Sequence, residues 1–160
     1  MSASVCALLL ALTVTACGDD GVELPMASDT EGVATYLNDA IGCTDTDYWS
    51  NAEMSLIRSE VSDSLDGGGE CELGDDSGDI EFLHVTDMTQ FQRDVARSGE
   101  DEDPLMVGMD FALDVDRDYI QKFLDEGLLL LDCEPGMQTP QQYQRVEAEA
   151  GCVLTDYVRD

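Results

Sequence analysis

His84 is the only histidine in the chain, so a Ser-His-Asp relay or a Cys-His pair would have to run through it. It lies in an apolar stretch, 80–85, that alternates like a strand, and no G-x-S-x-G accompanies it. A lone strand histidine without a positioned nucleophile reads as structural or exposed, not as a catalytic base. Carboxylates are the other chemistry on offer, and there are 36 of them. Paired acids of the glycosidase type would make the protein a carboxylate-dependent hydrolase. With so many acids some pair arises anywhere, so the sequence singles out no catalytic residue. The sharper spacing is Asp114, Asp116 and Asp118 at i, i+2 and i+4, followed by Asp125 at the twelfth position. That pattern resembles a calcium-binding EF-hand loop. It departs at Tyr119, where the loop needs a glycine for its sharp turn, and at Asp125, which is shorter than the usual bidentate glutamate. The same residues also read as the end of a strand and an acidic helix cap. Asp75, Asp76 and Asp79 around Gly78 form a second, looser candidate. No metal is expected from either set, and no cofactor is implied.

Six cysteines remain to be placed. No C-x-x-C and no Cys/His cluster occurs, so zinc and thioredoxin-type chemistry lack support. The first two lie in the N-terminal segment. Val5 to Val14 is an almost unbroken apolar stretch, too short for a spanning helix and of the length of a signal-peptide core. It ends in Val14-Thr15-Ala16-Cys17 and turns polar at once with Gly18, Asp19 and Asp20. Those four residues resemble the lipobox of bacterial lipoproteins: an aliphatic residue, two small ones, then the lipidated cysteine. The resemblance implies cleavage after residue 16, a lipid (diacylglyceryl, with palmitate-type acyl chains) on Cys17, and anchoring in the cell envelope on the extracytoplasmic side of a membrane. Met1–Val5 lacks the usual lysine or arginine, leaving the terminal amine as its only positive charge. An ordinary secretory leader cleaved near Cys17 is the competing reading, and it implies export as well. Gly18 leaves the destination membrane open.

Cys6 leaves with such a leader. Cys43, Cys71, Cys133 and Cys152 are then an even set in an oxidising compartment, which points to two disulfides. Of the three possible pairings, Cys43–Cys71 and Cys133–Cys152 keep each bridge within one half of the chain.

The net charge of −29 excludes nucleic acid as a direct partner, because a phosphate backbone is held by cations. It argues equally against a basic patch on anionic lipid. Lys122 is the single lysine, and Asp outnumbers Glu 23 to 13. A surface of this kind fits adaptation to high salt, in which salt screens its self-repulsion. A cation-binding surface and an unknown protein or other cationic partner are the alternatives.

These residues must be carried by a fold. Residues 1–16 read as leader, 17–27 as a lipidated polar tether and 28–160 as one domain, long enough to bury a core. Ser28 as N-cap with Glu31 has capping-box spacing, followed by a helix with Val33, Tyr36, Leu37, Ala40 and Ile41 inward and Gly42 as its stop. Alternation of Met54 and Leu56 suggests a strand at 53–60. The stretch 62–79, rich in Gly and Asp, would lack order except where Cys71 ties it. A strand at 80–85, a helix at 87–98 ended by Gly99, and an acidic turn at 100–103 come next. A long strand at 105–115 has Leu105, Val107, Met109, Phe111, Leu113 and Val115 on one side and Asp110 and Asp114 on the other. Asp116 caps a helix with Tyr119, Ile120, Phe123 and Leu124 inward, closed by Gly127. Residues 128–131, apolar throughout, suit a central strand. Thr139-Pro140 begins a last helix with Tyr143, Val146 and Ala150, stopped by Gly151, before a strand at 153–158. The expected class is α+β: a single small sheet with helices packed mainly on one face, stapled by disulfides. The expected function is that of a membrane-anchored extracytoplasmic lipoprotein. Its domain would bind or interact without catalysis, with a calcium-binding module or a hydrolase as alternatives.

Overall fold

The computed structural model describes residues 22–73, 78–98 and 105–159. The leader, Cys17, Asp75, Asp76 and the acidic turn at 100–103 lie outside them. In chain order the elements are α1 (Thr30–Ile41), β1 (Cys43–Tyr48), α2 (Asn51–Glu60), β2 (Leu65–Leu73), β3 (Asp79–Val85) and α3 (Met88–Ser98). They continue with β4 (Leu105–Val107), β5 (Phe111–Asp114), α4 (Arg117–Asp125), β6 (Leu129–Asp132), β7 (Arg145–Glu147), a 3-10 turn (Glu149–Gly151) and β8 (Val153–Thr155). All eight of these strands join one open antiparallel sheet in the order β1-β2-β3-β5-β4-β6-β8-β7. The class is α+β, as the sequence suggests.

The helices divide between the two faces of the sheet. On the first, Val33 and Leu37 of α1 and Ile120 and Phe123 of α4 pack on Phe82, Phe111 and Leu113. On the second, Met54 of α2 and Phe91 of α3 pack on Leu65, Val85, Val107, Ala112 and Leu129. The expectation of helices mainly on one face is corrected by the middle of the sheet. Phe111, Ala112 and Leu113 are all buried, as are Leu129, Leu130 and Leu131. Strands apolar on both sides need cover on both.

Local chemistry explains the other differences. Asp29, not Ser28, caps α1, its side chain accepting from the Gly32 N–H at 2.7 Å, while Ser28 takes a left-handed conformation. The expected strand at 53–60 is helix α2, because Ser50 and Glu53 form a reciprocal capping box. Met54 faces the core and Leu56 faces solvent, so their alternation does not mark one face of a strand. The glycine-rich stretch contains β2, paired along both edges. Its glycines admit close neighbours: a Cβ on Gly68 would lie 2.7 Å from the Phe82 carbonyl oxygen and 2.8 Å from the Trp49 ring.

The expected strand at 105–115 folds back on itself at 108–110, where the Gly108 N–H donates to the Phe111 carbonyl. The turn sends Leu105 and Val107 to the second face and Phe111, Leu113 and Val115 to the first. No helix begins at Thr139. The segment forms a turn, with the Tyr143 N–H on the Pro140 carbonyl, and then β7. Asp156 accepts from the Gln144 N–H and the Thr155 hydroxyl donates to the Gln144 carbonyl, which draws this segment alongside β8. The final strand is the shorter β8. α3, α4 and β6 lie where the sequence places them, although the Asp116 side chain makes no capping hydrogen bond.

Residues 22–27, expected as tether, are a strap that belongs to the domain. Val22 and Leu24 pack against the second-face core, and the Pro25 carbonyl accepts from the Met109 N–H at 2.7 Å. The Ala27 and Ser28 N–H groups donate to the two carboxylate oxygens of Asp110, each at 2.8 Å.

Both expected bridges are present, Cys43–Cys71 and Cys133–Cys152, with Cα atoms 5.7 and 4.0 Å apart. Two disulfides in a chain this small are consistent with an exported, extracytoplasmic protein.

Candidate functional site: a carboxylate ladder on the sheet

Register brings together acids that the sequence keeps far apart. Asp47 in β1 stands opposite Glu70 in β2, Glu70 opposite Glu81 in β3, and Glu81 opposite Asp114 in β5. Residues directly opposed in antiparallel strands share a face, with Cβ atoms about 5 Å apart. Their chain neighbours Cys71, Ile80, Phe82 and Leu113 point into the first-face core, so the four carboxylates line the second face. A second rung sets Glu72 opposite Asp79, with Thr44 beside Glu72. Helices α2 and α3 cover this face near Leu65 and Val85, at the other end of β2 and β3. The ladder is left open: Asp47, Glu72, Asp79, Glu81 and Asp114 are exposed and Glu70 is half-buried.

Like charges directly opposed across strands destabilise a sheet. Glu81, in the middle of the row, shows the consequence. Crowding by its neighbours, and then the charges of Asp114 and Glu70, push its carboxyl above the ordinary glutamate value of 4.5. A carboxyl whose pKa is raised on folding binds its proton more tightly in the native state, so it disfavours the fold once pH rises above its unfolded pKa. Glu81→Gln is therefore expected to raise the melting temperature at pH 7, with the gain shrinking as pH falls through the carboxylate range. Thermal melts at low ionic strength between pH 4 and 7 would check this, and equal gains at all pH values would refute it.

The residues singled out from sequence lie elsewhere or apart, Asp114 and Asp79 excepted. Cys17 is outside the described residues. Asp116 occupies the N-cap position of α4 without a side-chain capping bond, Asp118 sits in its first turn and Asp125 ends it, accepting from the Gln121 amide at 2.9 Å. Asp118 and Asp125 are seven residues apart on one helix, about 10 Å along its axis, so the loop needed for the calcium pattern does not form. Among the described residues, no three acid, histidine or cysteine side chains are grouped as a metal ion would need.

His84 is buried, 7% exposed, with Nδ1 2.5 Å from Asp66 Oδ1 and Nε2 4.0 Å from Asp110 Oδ2. The two carboxylates address opposite ring nitrogens, which no single metal ion could bridge, and Asp110 is already engaged by the strap. The histidine thus stands at a structural junction between β2, β3 and the strap. An open depression of about 580 Å³ between the ends of α2 and α3 is lined by Arg58, Ser62, Asp94 and Arg97 among others. Its two arginines and Asp94 are committed to local contacts: Arg58 donates to the Leu65 carbonyl, and Arg97 and the Ser62 hydroxyl to Asp94.

No protein-family model, curated protein or solved structure matches this chain. In the sequence Asp114 and Asp79 stand out only within loose calcium-like patterns, and nothing there shows the two rungs of the ladder they occupy. The available signal was that Glu81 and Asp114 each take the polar phase of an apolar strand. Which strands adjoin, and in what register, is set by the fold.

Proposed function

We propose that this protein is a lipid-anchored extracytoplasmic binding domain whose carboxylate ladder receives a cationic partner, such as a basic protein segment or polyamine-like polymer. The ladder carries the reading. It is a solvent-facing row of opposed carboxylates kept on a face that could have carried threonines or alternating charges. Repulsion of this kind is relieved when cations are brought alongside, so the same feature that strains the free domain favours binding. Complementary charge of this kind raises encounter rates and selects partners. The leader, the Val14–Cys17 box and the disulfides support an address outside the cytoplasm.

The test separates ladder geometry from net charge. Asp47→Asn with Glu70→Gln and Glu81→Gln removes three charges from the row. Asp39→Asn with Glu60→Gln and Asp63→Asn removes three exposed charges elsewhere. Titrated with an oligolysine peptide at moderate salt, the ladder variant is expected to bind several-fold more weakly than the control variant. Equal losses in the two would reduce the effect to overall charge and defeat the proposal.

A further inference from the structure

We propose that the end of the domain bearing Met26 and Met109 rests directly against the lipid bilayer to which Cys17 is anchored. The proposal rests on the lipid-anchor reading above and adds an apolar contact made by the folded domain itself.

Met26 is 63% and Met109 49% exposed, two of the few large apolar side chains among the described residues that face water. They sit on neighbouring segments, because the Met109 N–H donates to the carbonyl of Pro25, the residue before Met26. One belongs to the strap and the other to the tip of the β4–β5 turn. Pro25 also approaches Gly127, just before β6, so the strap runs across the end of the sheet where β5 and β6 begin. The chain that leads to the anchor leaves from this same strap. From Cys17 to Val22 is five residues, which reach at most about 17 Å when fully extended. With 22–27 bound to the domain the remaining tether is short, which keeps the strap, and the end of the sheet it crosses, close to the bilayer.

Methionine suits such a contact, being flexible, apolar and tolerant of an irregular interface. Attachment through one lipidated residue is strengthened by a second interaction with the membrane. Glu23, Asp29, Asp66 and Asp87 lie around the same end and would be repelled by anionic headgroups. A zwitterionic phosphatidylcholine vesicle is therefore the appropriate probe.

The full chain, produced with its leader and reconstituted on phosphatidylcholine vesicles, would be treated with a water-soluble methionine oxidant. The unlipidated Cys17→Ala chain in solution serves as the reference. Peptide mass spectrometry should show Met26 and Met109 oxidised several-fold more slowly on vesicles, while half-buried Met137 changes little. Unchanged rates at Met26 and Met109 in a chain that floats with vesicles and incorporates labelled fatty acid would overturn the contact and leave the anchor intact. A chain that neither floats nor takes up fatty acid would overturn the anchor reading and the contact together.

Discussion

Replacing Cys43 and Cys71 by alanine should lower the free energy of unfolding by about 3.6 kcal/mol, the loop-closure value for a bridge spanning 28 residues. The same replacement at Cys133 and Cys152, spanning 19, should lower it by about 3.2 kcal/mol. A domain of this size has about 5–15 kcal/mol in hand, so losing both bridges should leave it marginal or unfolded at 37 °C. Alanine is the right replacement because Cys43, Cys71 and Cys152 are 2% exposed or less, and a serine hydroxyl there would lack a partner. The bridges act at different places. Cys43–Cys71 fastens edge strand β1 to β2 just after α1 ends, while Cys133–Cys152 holds the segment after β6 to the start of β8. Each therefore secures one side of the open sheet. Urea unfolding of the two double variants measures both losses, and a loss below about 1 kcal/mol in either would show that the bridge closes a loop already ordered without it.

How far this arrangement could be read in advance depends on how local each determinant is. α1, α3 and α4 were legible because their apolar stripes and end signals lie within a dozen residues. The bridges were legible for the same reason, each joining cysteines in one half of the chain. β2 was not, since its three consecutive glycines argue for disorder until Trp49 and Thr30 are seen against them. α2 is marked by the Ser50–Glu53 capping box, while the alternation of Met54 and Leu56 points to a strand. The fold-back at 108–110 was hidden by an alternation that runs unbroken through the turn, although Gly108 marked its place. β7 and the ladder depend on pairing between distant segments. Asp47 and Asp114 are separated by about half of the domain in sequence and by three strand spacings in the sheet. Periodicity can say that an acid faces out, but not which acid stands next to it.

Asp110 offers the most direct test of how the strap is held. Its carboxylate accepts from the Ala27 and Ser28 N–H groups, and the Met109 N–H beside it donates to Pro25. Hydrogen bonds to an ionised acceptor contribute about 1.5–3 kcal/mol each when desolvated. Ser28 is exposed and Ala27 only partly buried, so water recovers part of the loss. Asp110→Ala is expected to destabilise the domain by about 2–3 kcal/mol on that basis. Asp110→Asn should fall between the two, because its carbonyl can accept one N–H while its amide presents a donor to the other. Amide exchange gives the spatial signature. Ala27 and Ser28 should lose protection in Asp110→Ala, whereas amides within β3 keep theirs. If the strap opens, up to six further residues join the four between Cys17 and Val22, and under the proposed lipid anchoring the domain would gain freedom to lift away from the membrane. Protection at Ala27 and Ser28 that survives the substitution would mean that the Pro25–Met109 bond and the packing of Val22 and Leu24 hold the strap without Asp110. That backbone hydrogen bond and apolar packing would then set where the chain leaves the domain.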